Sequence, residues 1–233
     1  NIFRSQYRAL EAEDGLQGLE ICRNELPDIV VTDVMMPKMN GIELCNKIKS
    51  EEETSHIPVM LLTAKNTDET IVEGYGFGAD GYVAKPFNID VLVARVNSLV
   101  KIREQLRARF QKEIEINPKI ISNTPADSKF MDKILGLIEQ NLSEPGYTVE
   151  QLADNYGVSR IYLNRKIKAL TGETSNEFMR NIKLKHAAEF LKQNKLNVSE
   201  VAWEVGYSDI RTFRKRFKEK FDLSPSDFAK QYK

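Results

Sequence analysis

Four short apolar runs, at residues 7–12, 28–33, 58–63 and 81–84, alternate with amphipathic segments at 15–25, 41–50 and 67–76. This alternation limits the fold more than any other feature of the chain. A strand that returns to lie beside a parallel neighbour needs a crossover long enough to hold a helix. Repeating that unit predicts an open parallel sheet with helices on both faces, closed by a long helix from Ile89 to about Phe110. From Asp127 onward the period is helical throughout. Two domains follow, residues 1–103 and 127–233. Between them, 104–126 starts as a basic helical extension and is then broken by Asn117-Pro118 and Asn123-Thr124-Pro125. Such a connector either places one domain on the other or simply tethers it.

Charge divides along the same line. Residues 1–100 carry 16 acidic against 9 basic side chains, whereas 127–233 carry 19 basic against 15 acidic. A polyanionic partner therefore belongs to the rear domain. No apolar stretch approaches the ~20 residues of a membrane span, and the start has no secretory apolar core. A cytoplasmic chain without membrane contact is expected. Cys22 and Cys45 fall in helical patterns and are expected as reduced core thiols, and His56 and His186 as structural residues.

Asp33 closes the apolar run Ile29-Val30-Val31-Thr32. A carboxylate there costs desolvation energy unless it has partners or a task. Thr63 and Lys85 end the two later runs, and parallel strands bring all three to one sheet edge, where open α/β folds keep their sites. Lys85 supplies positive charge and Thr63 a hydroxyl, which makes an anion receptor around a modifiable carboxylate. Met35 and Met36 are expected to wall the core.

The rear domain repeats itself. Ser128–Leu142 is a first helix. Val149–Tyr156, a turn at Gly157-Val158-Ser159 and Arg160–Leu170 form a helix-turn-helix pattern. Val198–Val205, a turn at Gly206-Tyr207-Ser208 and Asp209–Lys220 form a second, joined to the first by Asn176–Gln193. Helical spacing turns Leu163, Ile167 and Leu170 inward and leaves Arg160, Ile161, Asn164, Arg165 and Lys168 outside. In the second unit Phe213, Phe217 and Phe221 turn inward, and Ile210, Arg211, Arg214, Lys215 and Lys218 outward. Arg and Asn suit guanine and adenine edges, and Lys suits phosphates. Ser159 and Ser208 are placed at helix N-termini, which attract phosphate. Double-stranded DNA is the expected partner.

Val31-Thr32-Asp33-Val34-Met35-Met36-Pro37-Lys38-Met39-Asn40-Gly41, Leu62-Thr63-Ala64 and Gly78-Ala79-Asp80-Gly81-Tyr82-Val83-Ala84-Lys85-Pro86-Phe87 resemble the receiver domain of bacterial response regulators. The resemblance covers residues 1 to about 103 and implies a flavodoxin-like fold. It implies phosphorylation of Asp33 by a histidine kinase, with Lys85 and Thr63 on the phosphoryl oxygens. Tyr82 would reorient together with Thr63, and Lys85–Pro86 would be cis. It implies Mg²⁺ held by Asp33, the Met35 carbonyl and two acidic residues ending a preceding first strand. That first strand is missing, as though the chain were truncated upstream, and Glu13 and Asp14 are poor substitutes. Mg²⁺ is expected to bind weakly or not at all here, leaving Asp33 unphosphorylated in this chain.

Residues 127–233 resemble the AraC-type DNA-binding domain. The blocks are Val201-Ala202-Trp203-Glu204-Val205-Gly206-Tyr207-Ser208, Phe213-Arg214-Lys215-Arg216-Phe217-Lys218 and Leu223-Ser224-Pro225-Ser226-Asp227-Phe228. The resemblance implies two recognition helices in successive major-groove segments, about one helical turn apart. Trp203 is expected in the core, and Asp222 at a helix C-cap where the family often has Gly. The short connector and the contexts of Ser55-His56-Ile57-Pro58 and Leu170-Thr171-Gly172 resemble the C-terminal part of hybrid two-component regulators. That implies a kinase in cis, a parent chain anchored in the inner membrane, a homodimer when active, and control of polysaccharide-utilisation genes. No enzymatic activity is expected of this chain. A stand-alone response regulator, a DNA-binding protein with an inert receiver used for protein contacts, and a phosphatase using Asp33 stay open as alternatives.

Overall fold

The computed structural model describes residues 3–4, 6–64 and 78–232. They form two compact units, one of residues 1–108 with 121–129 and one of 109–120 with 130–233.

The first unit runs α1 (Gly15–Glu25), β1 (Val30–Asp33), α2 (Gly41–Ser50), β2 (Val59–Thr63), β3 (Gly81–Ala84) and α3 (Ile89–Lys112), whose last residues belong to the second unit. The sheet is parallel in the order β1-β2-β3, with Asp33 opposite Leu62 and Thr63 opposite Ala84. Alternation along β2 sorts its side chains. Val59 and Leu61 join Leu19, Cys22, Leu44, Cys45 and Ile48 from α1 and α2, while Met60 faces Leu92 and Val96 of α3. Each such side chain, fully buried, contributes about 1.5–3 kcal/mol. Asp14 caps α1 through the Gln17 N–H, and an Asn40–Glu43 capping box starts α2.

Residues 7–12 do not form the expected strand. Among the described residues they make no ladder bond, and a groove of about 640 Å³ separates them from β1. The apolar pattern is there, but strand geometry needs a backbone partner, and among the described residues β1 pairs with β2 alone. The expected helix at 67–76 lies outside the described residues. Met35 is 78% exposed and is no core wall, whereas Met36 packs against the α1–α2 side of the core.

The second unit takes the end of α3, a single 3-10 turn (Pro118–Ile120), and α4 (Pro125–Gln140), whose first residues belong to the first unit. It continues with α5 (Val149–Tyr156), α6 (Arg160–Thr171), α7 (Ser175–Gln193), α8 (Val198–Glu204), α9 (Ile210–Phe221) and α10 (Pro225–Lys230). Capping boxes open α5 (Thr148, Gln151), α7 (Thr174, Glu177) and α8 (Asn197, Glu200). Gly157 and Gly172 end α5 and α6 in the left-handed region that favours glycine. Leu163, Ile167 and Leu170 are buried as expected, as are Phe213 and Phe217. Phe221 is half-buried against Phe217 and Phe228.

Trp203 corrects another expectation: it is 60% exposed. Val201, Ala202 and Val205 fill the inward side of α8, and two residues beyond Val201 the helix has turned about 200°, toward solvent.

Candidate functional site

The parallel register brings three sequence-distant residues to one sheet edge. Asp33 ends β1, Thr63 ends β2, and Lys85 follows β3 directly. The Lys85 ammonium donates to Asp33 Oδ2, and the Met35 N–H donates to Asp33 Oδ1 at 3.1 Å. The Lys85 N–H donates to the Thr63 carbonyl at 2.7 Å, tying the third strand end to the second. Lys85–Pro86 is cis. Partial burial pushes the Asp33 carboxyl up. The hydrogen bonds from Lys85 and Met35 and the Lys85 charge outweigh this and hold it below the usual carboxylate range. Asp33 is thus an ionised, one-third-exposed carboxylate beside a cation. Thr63 and Tyr82 are both buried.

Gly41 is a site residue that sequence reading took only for a helix start. A Cβ there would overlap the Asp33 carbonyl oxygen, so α2 can approach the end of β1 only with glycine at its first position. Its neighbourhood to Pro37-Lys38-Met39-Asn40 signals a turn, but not the close approach.

The receiver resemblance implies Mg²⁺. The described residues offer the Asp33 carboxylate, already held by Lys85, and the Met35 carbonyl. Asp14 is committed to Lys38 at 2.6 Å and to its helix cap. Among the described residues no cluster of three candidate metal-ligating side chains occurs. One carboxylate contested by an ammonium and one carbonyl do not make the octahedral donor set of a resident Mg²⁺ site.

The second candidate site is the pair of recognition helices. On α6, Ser159 is the N-cap, accepting from the Tyr162 N–H. Arg160, Ile161 and Lys168 are exposed, Ile161 at 73%. Arg160 pairs with Glu150 at 2.5 Å, and Arg165 is half-buried. Asn164 is half-buried. Its Oδ1 accepts from the Ser175 N–H at 2.9 Å and joins α6 to the start of α7. On α9, Arg211, Arg214, Lys215 and Lys218 are all exposed, and Ile210 is half-buried. The N-cap here is Asp209, so Ser208 lies one residue outside it. The Thr212 hydroxyl and the N–H groups of Thr212 and Arg211 hold the Asp209 carboxyl below its usual range. The signal was legible as an Asp three residues before a Thr.

Two features now stand together: a carboxylate–lysine–threonine edge on a parallel sheet, and a helical unit carrying two helix-turn-helix motifs. Family comparison agrees with both. Residues 1–97 match the response regulator receiver domain, and residues 152–231 match a helix-turn-helix domain of AraC type. The chain belongs to the response regulators of two-component systems. It is 38% identical over its whole length to "Histidine kinase P4" of Formosa agariphila, of which it spans 17%. It is 31% identical to "Probable transcriptional regulator ycf29" of Pyropia yezoensis over 69% of this chain and 73% of that protein. It is 39% identical to "Uncharacterized transcriptional regulatory protein YclJ" of Bacillus subtilis over 42% of each. The chain therefore spans about a sixth of the first of these relatives and less than half of the third. Among the described residues no helix is long and apolar enough to cross a membrane.

Proposed function

We propose that this chain is the output end of a phosphorelay, in which phosphorylation of Asp33 by a histidine kinase governs binding of the α6 and α9 faces to double-stranded DNA. One observation carries the reading: Asp33 is ionised, part-exposed and engaged by Lys85 at the end of adjacent parallel strands. The carboxylate would act as nucleophile toward phosphohistidine. Lys85 would then leave Asp33 for the incoming phosphoryl oxygens, and the nearby strand end supplies the Thr63 hydroxyl. The bond to Lys85 is thus the contact that phosphorylation replaces. Because the described donor set does not fit Mg²⁺, no step is assigned to the metal here.

The relative named a histidine kinase is several times longer than this chain, which supports a kinase on the same polypeptide. A hybrid regulator of that kind, acting as a homodimer on carbohydrate-utilisation genes, is the specific form we favour over a separate kinase. The test is a promoter reporter driven by the complete gene product. Asp33→Asn should abolish the response to inducer, and Arg214→Ala should weaken it at every inducer level. An unchanged response with Asp33→Asn would replace this reading with a DNA-binding protein whose receiver only makes protein contacts.

A further inference from the structure

The last turn of α3 lies in the second unit, where it is held more closely than a tether requires. Phe110 is 1% exposed and stacks on Phe178, with ring centroids 6.3 Å apart. Its carbonyl accepts from Lys185 Nζ at 2.6 Å, and the same ammonium lies 4.4 Å from the Phe110 ring centroid. The next carbonyl, of Gln111, accepts from Lys220 Nζ at 2.9 Å. The Gln111 side-chain amide donates to the Thr171 carbonyl at 2.7 Å. Cations at a helix C-terminus satisfy its orphan carbonyls and suit its dipole, which accounts for both lysines locally.

The identity of the partners says more. Thr171 is the last residue of α6, and Lys220 is the penultimate residue of α9. Both recognition helices pack on α7, and Gln111 adds a direct link between their C-terminal ends: its amide holds one and its carbonyl holds the other. We propose that Gln111 is a positioning residue, tying α6 to α9 so that their separation matches one fixed spacing of two DNA elements. This rests on the DNA-binding reading above. A helix pair held only through α7 could rock at the ends farthest from the turns. A hydrogen-bonded bridge between those ends removes that freedom: the Gln111 side-chain amide donates to the end of α6, while its backbone carbonyl, which any residue would carry, accepts from the end of α9.

The test uses the whole chain and duplexes recovered by selection from random sequence, rebuilt with the distance between the two elements changed by one base pair either way. Wild type should show a sharp optimum. The penalty for displacement should be about tenfold or more, the scale of losing a good base contact. Gln111→Glu keeps the shape and the backbone carbonyl but presents an acceptor to the Thr171 carbonyl. It and Gln111→Ala should both flatten the spacing profile, with penalties falling to about threefold or less on the same scale. A lowered melting temperature with an unchanged profile means plain packing and overturns the proposal. Wild-type protein that binds no duplex specifically would overturn the DNA-binding reading as well, so the two failures are distinct.

Discussion

The two recognition helices are each twelve residues long and align position by position, yet they are built differently. Asn164 of α6 corresponds to Arg214 of α9. The first is spent on the Ser175 N–H, and the second is exposed. Ile161 corresponds to Arg211, Ser159 to Asp209, and Gly172 to Asp222. The first helix thus presents an apolar group and few free cations beneath a neutral cap. The second presents Arg211, Arg214, Lys215 and Lys218 beyond an anionic cap. Duplicated architecture need not mean duplicated roles: on the proposed reading α9 would supply the charge that grips DNA, and α6 would offer a more apolar surface to it.

The largest expected effect breaks the comparison at its core. Phe213, Phe217, Phe221 and Phe228 pack ring on ring, with Phe217 touching the other three, whereas α6 is held by Leu163, Ile167 and Leu170. Phe217→Ala should cost about 3–5 kcal/mol in denaturant unfolding. A loss under ~1.5 kcal/mol, the scale of a single buried methylene step, would mean the rings do not hold this unit. Next comes the charge asymmetry. Arg214→Ala should weaken specific DNA binding by ~1–3 kcal/mol. Arg160→Ala removes an exposed pair with Glu150 and should change stability by no more than ~1 kcal/mol. Equal binding losses at the two positions would erase the proposed division of labour. The smallest effect concerns the helix ends. Asp222 holds φ 58°, where Gly172 holds φ 77° in the first unit. Asp222→Gly should stabilise the protein by about 0.5–1 kcal/mol in thermal unfolding.

Acid should expose the other site. Asp33 has a folded-state pKa below its unfolded value, so its contribution to stability is present above the unfolded pKa. It is lost as pH falls through the depressed folded value. Asp33→Asn should remove that part of the acid sensitivity in unfolding measured from neutral pH downward.

Much of this was legible in the sequence because periodicity reports burial directly. The three strands, the inward faces of α6 and α9, and the Asp33–Lys85 pairing all followed from apolar spacing and from parallel topology. The failures share a cause. Residues 7–12 have the composition of a strand, but a ladder needs a neighbour, and composition cannot report one. Trp203 was expected inside, although its position on α8 turns it outward. Asn164 was placed on the outer face by helical spacing, and that spacing could not report the bond its Oδ1 accepts from a backbone N–H eleven residues away. The tie at Gln111 joins residues 60 and 109 positions apart, and no local pattern signals it.

Two unequal helices would read one stretch of DNA, and selection of duplexes from a random library by the whole chain tests that most directly. The recovered sites should contain two elements on one face of the duplex, about 10 base pairs from centre to centre. The element lost with Arg214→Ala should be the more strongly enriched of the two. Recovery of no sequence, or of one element without a second at fixed spacing, would contradict it.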